Sequence, residues 1–191
     1  MEKHRSIWKR TTFFGAIFAG AILVSYLVVN WPVVVQQAQF ATGNMPNPPI
    51  FATEDVIEIP EIGVRAPIVW ATDDNKDALQ KQLLDGVVHY PETALPGEIG
   101  NGVYVGHSSN YWWEKSDYNT IFGLISKLEA GTEITIRYQD QEYVYEVYEN
   151  RSVAKDDPEI WRQTDTAEIT LVTCWPRGTN LKNFLVRGKL Q

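Results

Sequence analysis

From residue 55 onward, apolar positions recur with a period of two. In TEITIRY, residues 132–138, Thr132, Ile134, Ile136 and Tyr138 alternate with Glu133, Thr135 and Arg137. This alternation predicts a strand with one face on a core and the other wet. EYVYEVYEN pairs with it as a hairpin across Asp140-Gln141. VIEIP (56–60) and VRAPIVW (64–70) are short strands around a turn at Glu61-Ile62-Gly63, their prolines suited to edges or strand ends. VYVGH (103–107) puts Val103, Val105 and His107 on one face. In ITLVTCWPRG (169–178), Ile169, Leu171 and Thr173 point to one side and Thr170, Val172 and Cys174 to the other; FLVRGKL (184–190) is the last strand. Helical spacing is confined to DDNKDALQKQLLDG (73–86), with Asp74 or Asn75 as cap and Gly86 as stop, and to one or two turns in IFGLISKLEAG (121–131). About eight short strands, little helix and no internal repeat predict an all-β barrel or sandwich, and a closed barrel has the advantage of leaving no edges.

A different pattern precedes these strands. Residues 11–35, TTFFGAIFAGAILVSYLVVNWPVVV, contain no charge. At 1.5 Å per residue, positions 12–30 alone match a hydrocarbon core of about 30 Å. Lys3, Arg5, Lys9 and Arg10 precede the run and no base closely follows it. The expectation is a cytoplasmic basic segment (1–10), one transmembrane helix (11–35) with Trp31 and Pro32 at its outer end, and the remaining chain outside the membrane. A cleaved secretory signal is the rival, but the apolar stretch exceeds a usual signal core and no A-x-A-like site follows it. Residues 36–54, with Gly43, Asn44, Pro46, Asn47, Pro48 and Pro49, have linker composition. The compact domain is expected over 55–191.

The chain has 191 residues and a formal net charge of −7. Four bases against Glu2 give residues 1–35 a net +3, leaving −10 for the rest. An acidic body without a Lys/Arg run excludes the usual nucleic-acid footprint.

Candidate chemistry centres on the single cysteine. Cys174 cannot form an internal disulfide, so its roles reduce to buried hydrophobe, metal ligand or nucleophile. His107 also ends a β run and precedes a loop, so both residues suit the rim of one cleft, where an imidazole manages the proton of a thiol nucleophile. His89 is a competitor in a less regular stretch, and His4 lies in the basic segment. With three histidines and one cysteine, a tetrahedral zinc site would need carboxylates to complete it; no metal and no cofactor are expected.

The segments IEIPEIGVRAPIV, HYPETALPGEIGNGVYVGH, FGLISKLEAGTEITI, TLVTC and the terminal FLVRG together resemble the sortase family, membrane-anchored cysteine transpeptidases of bacterial surfaces. The resemblance implies a closed eight-stranded β-barrel with Cys174 as nucleophile and His107 as acid/base partner. It further implies cleavage of an LPxTG-like sorting signal through a thioester and transfer to an amine on peptidoglycan or another surface protein. The address it implies is the bacterial cell membrane, single-pass, with an extracytoplasmic catalytic domain. One position departs from the pattern. Asn183 stands where such sequences carry an arginine that steadies the substrate carbonyl and oxyanion, a loss worth a few kcal/mol at the transition state. Arg177 and Arg187 are the candidate substitutes, although Arg187 stands about 13 Å farther along the strand. Tyr111, Trp112, Trp113, Trp161 and Trp175 are candidates for the substrate groove. The alternative is a degenerate sortase-like domain that binds peptides without turning them over.

Overall fold

The alternating segments become eight strands: β1 (Val56–Ile59), β2 (Val64–Trp70), β3 (Val87–His89), β4 (Gly100–Val105), β5 (Glu133–Tyr138), β6 (Gln141–Ala154), β7 (Ala167–Trp175) and β8 (Lys182–Leu190). The computed structural model describes residues 2–29, 31–45, 55–110 and 114–191. The strands close into a barrel in the order β1-β2-β3-β4-β7-β8-β6-β5, with β5 pairing back onto β1. The β2–β3 and β4–β7 pairs are parallel. A parallel pair needs a crossover, and α3 (Lys76–Gln82) supplies the first, its N-terminus capped by the Asn75 side chain, which accepts from the amides of Asp77 and Ala78. The predicted hairpin joins β5 to β6 through Gln139 and Asp140, both at positive φ (49° and 62°), as a tight two-residue turn requires.

Strand alternation sorts the apolar residues into two bodies. Tyr104, Ile134, Ile136, Tyr145, Ile169, Leu171, Phe184 and Val186 belong to the main core, while Val103, Val153, Ile160, Val172 and Leu185 form a second cluster. Adjacent residues of β4, β7 and β8 thus alternate between the barrel interior and an apolar patch on its outer face.

The N-terminal expectation is corrected. Among the described residues, no helix is long and apolar enough to cross a membrane, which overturns the transmembrane helix, the single-pass topology and the membrane address expected from residues 11–35 and leaves the membrane partner without support. The apolar run is not one element. The helix α1 (Glu2–Val29) includes the basic head as well as the apolar body, and residues 31–35 begin a second helix, α2 (Trp31–Thr42). α2 extends into the stretch of linker composition and lies on the barrel. Its Gln36 Nε2 donates to the Thr120 carbonyl at 3.4 Å, and Phe40 packs against the main core together with Met45. Residues 46–54 lie outside the described residues.

Candidate active site

The parallel β4–β7 pair carries Val103 beside Thr170 and Val105 beside Val172. Two residues beyond the last pair stand His107 and Cys174. Contact continues one residue past the strand end: Gly106 N donates to the Val172 carbonyl at 3.1 Å, and Thr173 Oγ1 donates to the Gly106 carbonyl at 2.7 Å. His107 is the next residue, beyond the last pairing of β4 with β7, as Cys174 is on β7. On the other side of β7, Cys174 pairs with Asn183 of β8, which pairs in turn with Val153 of β6. Cys174, Asn183 and Val153 form one row across β7, β8 and β6, and His107 lies beside it, past the end of β4. By alternation they share the outer face with Val105, Val172 and Leu185, so the second cluster is the floor of the site. Beneath it, Thr170 Oγ1 donates to Asn101 Oδ1 at 2.8 Å and Asn101 Nδ2 donates to the Ile160 carbonyl at 3.2 Å, tying the floor to the β6–β7 connection.

The strand ends are fastened from above. Arg177 Nε donates to the Ser108 carbonyl at 3.1 Å, and Gly178 N donates to Ser109 Oγ at 3.0 Å. Phe122 N closes on the His107 carbonyl at 2.9 Å, and a Cβ on Gly106 would come within 2.6 Å of the Phe122 ring. The loop after His107 and the loop after Cys174 thus form one packed rim.

Burial governs the electrostatics. It pushes the Cys174 thiol above its ordinary value of 9.0, opposed by the positive charge of Lys155. It also lowers His107 from 6.5. The thiol donates to Asn180 Oδ1 at 3.7 Å, and His107 Nε2 is buried without a partner among the described residues. Burial thus favours the neutral forms of both groups.

Neither substitute arginine is directed at Cys174. Arg187 is 1% exposed and lies level with Thr170; its guanidinium is 3.7 Å from the carboxylates of Glu149 and Glu159, and it donates to the Glu159 carbonyl. Arg177, in addition to Ser108, donates to Gln36 Oε1 of α2 at 2.6 Å. Its guanidinium rests on Gly123, where a Cβ would come within 1.6 Å of Nη2, and burial brings its pKa down to about 10. Asn183 Nδ2 donates to the Lys155 carbonyl at 2.8 Å.

Of the aromatic candidates, Trp161 is 41% exposed and stacks at 4.4 Å on Tyr90, which borders the floor cluster. Trp175 packs on Phe184 at 5.1 Å, against the main core. Tyr111, Trp112 and Trp113 lie outside the described residues. His89, the competing histidine, is buried beside Trp70 and Tyr104. Among the described residues no group of three or more His, Cys, Asp or Glu side chains is placed to hold a metal. Sequence reasoning missed Asn180, Lys155, Gln36 and Gly123. Only Lys155 had a cue, as the base that opens the otherwise acidic turn KDDPE.

The sortase domain model matches residues 57–191. Sortase D of Bacillus subtilis strain 168 is 33% identical over 138 residues, covering 70% of this chain and 62% of the relative. Sortase A of Bacillus anthracis is 29% identical over 134 residues, 70% of this chain and 58% of the relative. The chain spans under two thirds of the length of either. Among solved structures, a sortase D5 transpeptidase of Clostridium perfringens superposes with a TM-score of 0.58 at 30% identity, over 72% of this chain and 78% of that one. The closed eight-stranded barrel and the domain match over residues 57–191 together place the chain in the sortase family.

Proposed function

We propose that the chain is a cysteine transpeptidase that cleaves an LPxTG-like sorting signal of surface proteins and transfers the acyl part to an amine on peptidoglycan or another surface protein. The observation that supports this is that His107 and Cys174 each stand two residues past the last pair of the neighbouring parallel strands β4 and β7, Val105 with Val172. In the first half-reaction the Cys174 thiolate adds to the scissile carbonyl. The C–N bond then breaks as His107 protonates the departing amine, leaving a thioester on Cys174. In the second half-reaction an acceptor amine adds to the thioester, His107 takes its proton, and the C–S bond breaks to return the thiolate. The thioester conserves the peptide-bond energy, so transfer needs no other energy source. Val103, Val172 and Leu185 are buried together with Ile160 of the β6–β7 connection, which leaves half-buried Val105 and exposed Trp161 to meet the aliphatic part of a sorting signal.

A second reading, a peptide-binding domain without turnover, is favoured by the neutral Asn183 in the row of Cys174. The two separate in one experiment: intact-mass analysis of the full chain with a library of LPxTG-like peptides and an amine, beside Cys174→Ala. A thioester adduct and amine-exchanged product that require Cys174 support the transpeptidase. Peptide binding without acyl transfer to any acceptor would give the lead to the binding domain.

A further inference from the structure

The row of Cys174, Asn183 and Val153, with His107 beside it, contains no arginine, and the two candidate arginines are each held by other groups. Arg187 is enclosed by Glu149 and Glu159, and Arg177 is held through Nε by Ser108 and through Nη2 by Gln36, its Nη1 buried without a partner among the described residues. Lys182 neighbours Asn183, but strand alternation turns it toward the opposite face, that of Phe184. Lys155 is left. It stands one residue beyond β6, whose last pairs with β8 are Val153 with Asn183 and Ala154 with Lys182. The row that runs from Cys174 through Asn183 therefore ends at Val153, two residues before Lys155. The Asn183 amide donates across this gap to the Lys155 carbonyl at 2.8 Å and fixes that backbone where the strand would otherwise fray. Lys155 is exposed and takes part in no ion pair among the described residues, although Asp156 and Asp157 follow it. Its charge is the one that favours the Cys174 thiolate against burial.

We infer that Lys155 is the cation of this active site, and that Asn183 is a positioning residue that presents it by holding its carbonyl. The inference rests on the assignment of Cys174 as nucleophile. It divides between two residues a task that one guanidinium would otherwise perform: Asn183 supplies the fixed point on β8, and Lys155 supplies the charge. As the thiolate adds to the scissile carbonyl, one negative charge moves from sulfur to oxygen over roughly a bond length. An ammonium group on a flexible four-carbon stem follows that movement from one side of the row while His107 handles the proton from the other.

The test uses the full chain and reads local charge directly. Cys174 is alkylated at neutral pH and low salt with iodoacetate, an anion, and with iodoacetamide, its neutral counterpart. The ratio of the two rates reports the field at sulfur. In Lys155→Gln the ratio falls about threefold, and in Lys155→Arg it returns to the wild-type value. Asn183→Ala lowers the ratio by a smaller factor, and adding it to Lys155→Gln changes nothing further, because it acts only through the lysine. With a reactive peptide, Lys155→Gln lowers kcat about tenfold and moves KM less than twofold. An unchanged ratio in Lys155→Gln overturns the inference, as does an Asn183→Ala effect of equal size with and without Lys155. Because Lys155 is exposed, its variants fold, and melting curves check this. Absence of acyl transfer in the wild type while the ratio still responds to Lys155 would sink the transpeptidase and leave the placement of the charge intact.

Discussion

Cys174 and His107 have their charges suppressed by the same cause. Burial raises the thiol above 9.0 and lowers the imidazole below 6.5, so thiol and neutral imidazole predominate at neutral pH and the thiolate–imidazolium pair is a minority. In the proposed transpeptidase the reactive form carries both charges at once. Below the imidazole's pKa, added acid only depletes thiolate; above the thiol's pKa, added base only depletes imidazolium. Between the two the product of the fractions is flat. The profile of kcat/KM against pH is therefore expected to be a broad bell whose acid limb lies below 6.5 and whose alkaline limb lies above 9.0. Removing the Lys155 charge should move the alkaline limb further up and leave the acid limb in place. A narrow bell with both limbs inside that interval would mean that the substrate-free geometry does not represent the working pair.

At the scale of elements, the site depends on two loops that Arg177 joins. The guanidinium bridges the Ser108 carbonyl and the Gln36 side chain and lies where Gly123 leaves it room. In Gly123→Ala the new methyl would sit 1.6 Å from Nη2, so the guanidinium must leave. The loss of its bonds at a largely buried site is expected to cost about 1–3 kcal/mol in thermal or urea unfolding, with lower acyl-transfer activity as the rim loosens. Arg177→Ala should have a similar effect without the clash. The Gly123→Ala/Arg177→Ala double variant should then be no worse than Arg177→Ala alone; additive losses would show that Gly123 matters for another reason. None of this was visible in the sequence. An arginine in a Pro-Arg-Gly turn has the signature of a solvent-exposed charge, and what buries it comes from Gln36, 141 positions away in the chain. The strands were legible because they follow from a period of two within short segments. The division of residues 11–35 into two helices was only half legible: Pro32 marks a boundary, but it reads equally as the end of one helix and as the first turn of the next. Lys155 escaped for a third reason: its place is set by a side-chain bond from Asn183, and pairing across β6 and β8 is a long-range property that no local pattern encodes.

For the molecule as a whole, barrel closure brings polar groups into a region that apolar strands alone would not predict. Asp55 receives the Trp70 indole N–H at 2.9 Å and the Gln139 amide at 2.9 Å, joining the start of β1 to β2 and to the β5–β6 turn. Trp70 stacks on Tyr138 and on His89, both at 4.8 Å, and His89 meets Tyr104 at 5.1 Å. His89 Nε2 lies 3.0 Å from the Ala94 carbonyl and 3.2 Å from Thr93 Oγ1, in a wall built from four strands and the loop after β3. Burial is the main cause that lowers the His89 pKa from 6.5. An unfolded chain regains the ordinary value, so below 6.5 the unfolded state binds more protons than the folded one. The stability due to neutral His89 is full above 6.5, falls as pH drops from there through the folded pKa, and is level below it. His107, shifted in the same direction, adds to the loss. The urea midpoint of the full chain should therefore decline over the interval just below pH 6.5, before most carboxylates titrate, with a slope of at most about 1.4 kcal/mol per pH unit for each histidine. His89→Gln should start about 1–3 kcal/mol less stable at alkaline pH yet decline less steeply, and His89→Gln/His107→Gln should be flatter still. Equal slopes in wild type and His89→Gln would mean that the acid sensitivity of the barrel comes from its carboxylates and that His89 is tolerated in its charged form.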